Sequence, residues 1–105
     1  MRIAEFQDLI HRTYHERDAK RGLETDMLWL MEEVGELAEA IRKRDRKGAE
    51  EEFADVLAWL VTAASISGID IEKAALAKYG KGCPRCGSIP CACPEHPAPK
   101  QWPGA

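Results

Sequence analysis

Neither proline nor cysteine occurs before position 83, aromatic side chains make up only 7% of the chain, and no apolar run is long. Each absence excludes something. The longest mostly apolar stretch, Val56 to Ile66, falls well short of the about 20 residues that a membrane-spanning helix needs. The N-terminus lacks a basic-then-apolar secretory pattern, so no membrane association and a cytoplasmic location are expected. A formal charge of -3 is a poor footprint for nucleic acid, because that affinity rests on Lys and Arg meeting phosphates. The same balance suits a protein that gathers cations. At 105 residues the chain has length for one hydrophobic core.

What is present is unevenly spread. All six prolines and all four cysteines fall between Cys83 and Pro103, whereas residues up to Tyr79 hold 17 acids against 12 bases. This predicts a helical acidic body over 1–80 and a Cys/Pro-rich tail over 81–105, with the Pro-rich end from Pro94 loosely ordered. Four helices are expected in the body. The first spans about Ile3 to Lys20, with Ile3, Phe6, Ile10 and Tyr14 on one face. The second spans about Asp26 to Arg44, capped by Thr25, with the stripe Leu30, Val34, Leu37, Ala38 and Ile41. The third spans about Ala49 to Ser67 and buries Phe53, Val56, Leu57, Leu60 and Ala64. Asp70 caps a fourth from Ile71 to Tyr79, with Gly80 as a left-handed terminator. The short link from Asp45 to Gly48 makes helices two and three antiparallel neighbours, the geometry of a small all-α bundle. So small a body has a thin core, and the apolar faces around Trp29 and Trp59 predict a homo-oligomer that shares it.

Two acid pairs stand out. Helix two carries Glu32-Glu33-Val34-Gly35-Glu36 and helix three carries Glu52-Phe53-Ala54-Asp55, each with carboxylates at i, i+3 that sit about 60° and one turn apart. Glu33, Glu36, Glu52 and Asp55 all flank the apolar stripes, and Trp29 and Trp59 fall on the same flanks. Like charges about 4 Å apart repel by roughly 4 kcal/mol at an effective dielectric of about 20, so convergence needs a divalent cation. Carboxylates without His or thiolate select hard ions, which makes Mg²⁺ the expected metal and Mn²⁺ its substitute. None of His11, His15 or His96 lies three residues after a glutamate, which excludes the Glu-x-x-His pairs of a di-iron bundle. The opposing reading is a solvated helix face, which is what Glu39, Glu50 and Glu51 are expected to be.

Glu32-Glu33-Val34-Gly35-Glu36-Leu37 followed by Glu52-Phe53-Ala54-Asp55-Val56-Leu57, with fifteen residues between Glu36 and Glu52, resembles the MazG-like nucleotide pyrophosphohydrolases. The resemblance covers about residues 1–80. It implies an all-α fold, a homodimer or homotetramer, and hydrolysis of nucleoside triphosphates to monophosphate and pyrophosphate. It also implies that Glu33, Glu36, Glu52 and Asp55 bind Mg²⁺, while Glu32, turned further from the core, orients the site or a water. Clustered Mg²⁺ would neutralise the polyanion and lower the pKa of water, and a motif carboxylate left free would take the proton. Lys78, Lys81 and Arg85 are candidates for the distal phosphates, although a Lys at a helix end also complements the helix dipole. Trp29, Trp59, Phe6 or Tyr14 could stack on a base, against the ordinary reading of rings at helical spacing as core. Two other functions stay open: a non-catalytic adaptor that binds a partner through the tail, and pyrophosphohydrolysis of a phosphoribosyl nucleotide.

The tail reads Cys83-Pro84-Arg85-Cys86-Gly87, then Cys91-Ala92-Cys93. In a reducing compartment four clustered cysteines argue for metal rather than disulfides, and a C-P-x-C-G turn suits a structural zinc knuckle over 83–96. The second half is tighter than usual, so His96 is an alternative ligand; free thiols or a redox pair are the other readings.

Overall fold

The computed structural model describes residues 1–95 and Pro103. Four helices and no strand occur among them: α1 (Ile3–Arg21), α2 (Leu23–Arg42), α3 (Arg46–Ile66) and α4 (Ile71–Tyr79). The chain forms two compact units, Met1–Ala74 and Ala75–Ala105. No single helix among the described residues is long and apolar enough to cross a membrane.

In the first unit α2 and α3 form the closest pair, and α1 packs mainly on α3. The α2–α3 turn is reversed by Arg44, whose positive φ of 56° lets the amide of Asp45 reach back to the Ala40 carbonyl at 2.9 Å. Asp45 then starts α3, its Oδ1 accepting from the Gly48 amide at 3.0 Å. Early residues of α2 meet late residues of α3, as Trp29 with Trp59, so the pair runs antiparallel. Gly22 alone separates α1 from α2, at a φ of 86° that only glycine adopts cheaply. The α3–α4 corner is tied to α1 by Gln7. Its Nε2 donates to the Ile69 carbonyl at 2.8 Å and its Oε1 accepts from the Ile71 amide at 3.0 Å. Asp70 caps α4 through the Lys73 amide.

The helix count stands as expected, with corrections at the ends. Because Gly22 makes the break, α2 begins at Leu23, and Thr25 lies inside its first turn instead of capping it. Asp45 caps α3, which therefore starts at Arg46 rather than about Ala49. Gly80 is not left-handed; beyond α4 the positive φ values fall on Gly82 and Gly87.

The core is thinner than the stripes implied. Val61 is fully enclosed and Leu30, Ala40, Ala63 and Ala64 are buried, but Tyr14, Val34, Ile41, Phe53, Leu57 and Leu60 stay more than a third exposed. Only three helices pack together in this unit, so a wide apolar stripe has a neighbour on one side only. In place of apolar residues the centre holds a charged cluster. Asp26 is completely buried and Asp18 nearly so; Arg21 pairs with both, meeting Asp26 Oδ1 at 3.0 Å, and Thr62 donates to Asp18 at 3.3 Å. Removing one partner from such a cluster strands buried charge, which costs far more than losing an exposed cap. Arg21→Ala is therefore expected to lower unfolding stability by about 3 kcal/mol. Asp45→Ala should lower it by about 1 kcal/mol. Urea denaturation checks both, and equal losses would contradict the ranking.

Candidate active site

The antiparallel α2–α3 register sets the acid pairs side by side. Glu33, Glu36 and Glu52 each offer a carboxylate oxygen within 4.8 Å of the others. Glu33 and Glu52 are half-buried, and one oxygen of each, Oε2, is out of solvent with no hydrogen-bond partner. A buried acceptor without a donor is costly. A proton on Glu33 relieves part of that cost by letting its carboxyl donate toward Glu52. The side-chain hydrogen bond to Glu52, followed by desolvation and the charges of Glu52, Glu36 and Asp55, lifts Glu33 from 4.5 to about 7. Glu36 is raised too, chiefly by the charge of Glu52.

The remaining candidates divide. Asp55 is exposed and stands outside the trio, although its charge reaches Glu33. It lines a pocket of about 310 Å³ with Tyr14, Arg17, Arg21, Trp59 and Thr62. Glu32 is exposed and also lies outside the trio. Trp29 and Trp59 stack on each other, ring centres 6.2 Å apart and planes within 12°. The Arg21 guanidinium lies 5.3 Å over the Trp59 ring. Trp59 and Tyr14 line the pocket and Phe6 does not. On the other side of the trio, Glu36 and Glu52 share a groove of about 240 Å³ with Glu39, Lys43 and Gly48. Lys78, Lys81 and Arg85 belong to the C-terminal unit, where Lys78 Nζ lies 5.5 Å over the Tyr79 ring. Cys83, Cys86, Cys91 and Cys93 come together in that unit, and His96 lies outside the described residues.

Sequence reading passed over Asp18, Arg21, Asp26 and Thr62. A signal was there: Asp18 follows Tyr14 by four residues and Asp26 precedes Leu30 by four, so both carboxylates sit on apolar stripes. Charge at a core position asks for a buried partner, and Arg21 supplies it to both.

The trio fits a hard divalent cation. Its donors are all carboxylate oxygen, two are buried without a partner, and their mutual repulsion is what a cation removes. Glu33 titrates higher folded than its unfolded value of 4.5, so ionising it costs the folded state. The penalty is absent below 4.5, grows as pH rises, and is complete above about 7. Glu39 and Glu72, held low by Lys43 and Arg2, already contribute fully above 4.5 and add no slope there. Cys86, held down at about 6 by the backbone amides of Ala92 and Ser88, contributes in the opposite sense as pH rises. In a Cys86→Ser chain, metal-free protein should therefore melt lower at about pH 8 than at about pH 5. Mg²⁺ should restore the loss at the higher pH and have little effect at the lower. Glu52→Gln should flatten the difference. In that chain, a metal-free melting temperature that rises over this interval would contradict the geometry.

No curated protein matches the chain. A family model described as the MazG nucleotide pyrophosphohydrolase domain matches residues 21–87. That span runs from the end of α1 through α2, α3 and α4, and it holds Glu33, Glu36, Glu52 and Asp55 together. The chain thus belongs to the MazG nucleotide pyrophosphohydrolase family.

Proposed function

We propose that this chain is a Mg²⁺-dependent pyrophosphohydrolase of nucleoside triphosphates, cleaving between the α and β phosphates to release monophosphate and pyrophosphate. The observation that carries the reading is the trio Glu33, Glu36 and Glu52, with two buried oxygens that have no partner. These three residues, with Asp55 at the rim, would hold the cation, and the proton that Glu33 retains up to about pH 7 would leave as it binds. Bound Mg²⁺ supplies charge neutralisation to the polyphosphate and makes water more acidic. Glu32, outside the trio and exposed, is free to orient the attacking water and take its proton. The water oxygen bonds to the α phosphorus, the bridging P–O bond breaks, and its electron pair leaves with pyrophosphate. The pocket beside Asp55 offers the Trp59 edge, the Tyr14 ring and the Arg21 guanidinium to base and sugar.

Incubation with Mg²⁺ and a panel of nucleotides in ¹⁸O water tests this reading. The label is expected in the monophosphate, and Glu36→Gln or Asp55→Asn should lower turnover by about 100-fold or more while helix content is kept. Release of nucleoside diphosphate with orthophosphate would contradict it. Absence of turnover on every nucleotide, phosphoribosyl ones included, would favour a binding role instead.

The same reading includes a homo-oligomer. Leu28 is 72% and Phe53 58% exposed, and they join Met31, Leu57 and Leu60 in apolar surface spread over α2 and α3. Gly35, mid-helix, has open space where a side chain would stand, so nothing among the described residues repays its helix cost of about 1 kcal/mol. Close approach of a second chain would use that space. Light scattering should give at least a dimer for the parent and a monomer for Leu28→Asp. A parent that is monomeric at micromolar concentration would remove this part.

A further inference from the structure

The C-terminal unit poses a packing problem. No described residue after Ala64 is buried, yet 82–93 is held in a defined turn with no core beneath it. Gly82 and Gly87 take φ of 105° and 73°. The Gly87 amide reaches the Cys83 carbonyl at 2.7 Å, and the Cys83 amide reaches the Ser88 carbonyl at 3.2 Å, folding Cys91 and Cys93 back onto Cys83 and Cys86. A segment this short folds with a disulfide or metal staple.

We propose that Cys83, Cys86, Cys91 and Cys93 form a closed, four-thiolate Zn²⁺ site. Their sulfurs all lie within 4.8 Å of one another. Cys83 Sγ is 3.7 Å from that of Cys93 and 3.6 Å from that of Cys91. A tetrahedron with Zn–S bonds of about 2.3 Å has S···S edges of about 3.8 Å, so these separations match a shared cation. A disulfide needs about 2.05 Å, and all four thiols are free. Backbone amides point at sulfur as thiolate ligands require: Ala92 N–H to Cys86 Sγ at 3.3 Å and Cys93 N–H to Cys91 Sγ at 3.4 Å. Soft sulfur donors exclude Mg²⁺ and Ca²⁺, and four of them leave no open position, so the site is structural. Zn²⁺ with four thiolates carries two negative charges, beside Lys81 and Arg85 in a stretch whose one acid is Glu95. The match to the family model ends at residue 87, so Cys83 and Cys86 fall inside it and Cys91 and Cys93 beyond it. The site is chemically separate from the carboxylate trio, which takes hard ions.

Elemental analysis of untagged full-length protein, dialysed against excess Mg²⁺, tests the proposal. One zinc per chain is expected. Cys86→Ser and Cys91→Ser should each lose it, while circular dichroism keeps the helix signal because every ligand lies beyond Tyr79. In the parent the four thiols should resist a thiol reagent until a strong chelator is added, and cobalt substitution should give tetrahedral thiolate bands. Metal-free protein with four freely reacting thiols would overturn the proposal, as would a disulfide found by mass spectrometry or a red, iron-loaded protein. Zinc that Mg²⁺ strips, or that both serine variants retain, would overturn it equally by placing the ion elsewhere.

Discussion

Repulsion among Glu33, Glu36 and Glu52 is the constraint around which this small bundle is arranged. Three carboxylates within 4.8 Å oppose folding unless a proton or a cation offsets their charge, and the same crowding lifts Glu33 to about 7. The encounter depends on register. A slide of one helical turn, about 5.4 Å, between α2 and α3 would separate the acids. Several features oppose such a slide: the tight turn at Arg44 and Asp45, the stacked Trp29 and Trp59, and the Asp18–Arg21–Asp26 cluster that pins α1 and α2 against Thr62 of α3. Each holds the helix pair where its acids are least comfortable alone and most useful with a cation.

The central cluster has a cost. Burying two carboxylates with one guanidinium yields less stability than apolar packing of the same volume, and Asp26 Oδ2 remains without a partner. What the arrangement does give is placement. Arg21 lies over Trp59 and lines the same pocket as Asp55, so a residue that orders three helices also forms the wall beside the acids. With so few apolar side chains enclosed, one bundle alone has little stability to spare, and the uncovered surface of α2 and α3 is where more can be gained.

Much of this was legible in the sequence. The all-α class, the four helices, the antiparallel pair and the approach of Glu33 and Glu36 to Glu52, though not that of Asp55, follow from glycine punctuation and 3.6-residue spacing, and α4 falls where Asp70 and Tyr79 place it. Helix ends were less legible because local chemistry competes there: Gly22 ends one helix and begins the next, so Thr25 had no cap to make. Burial was least legible. Periodicity shows which face is apolar but not how many neighbours that face has, so Phe53 and Leu60 read as core and stay open. Asp18 and Asp26 escaped notice for the converse reason, since charge is read as surface until a partner such as Arg21 comes into view.

The central claim is that α2 and α3 gather a hard divalent ion between their acids. Anomalous diffraction from crystals soaked in Mn²⁺ measures this directly. The account predicts a peak enclosed by the carboxylates of Glu33, Glu36 and Glu52, with Asp55 at its edge, and none when Glu36 is replaced by Gln. A featureless map there, with those carboxylates turned out to solvent, would contradict it.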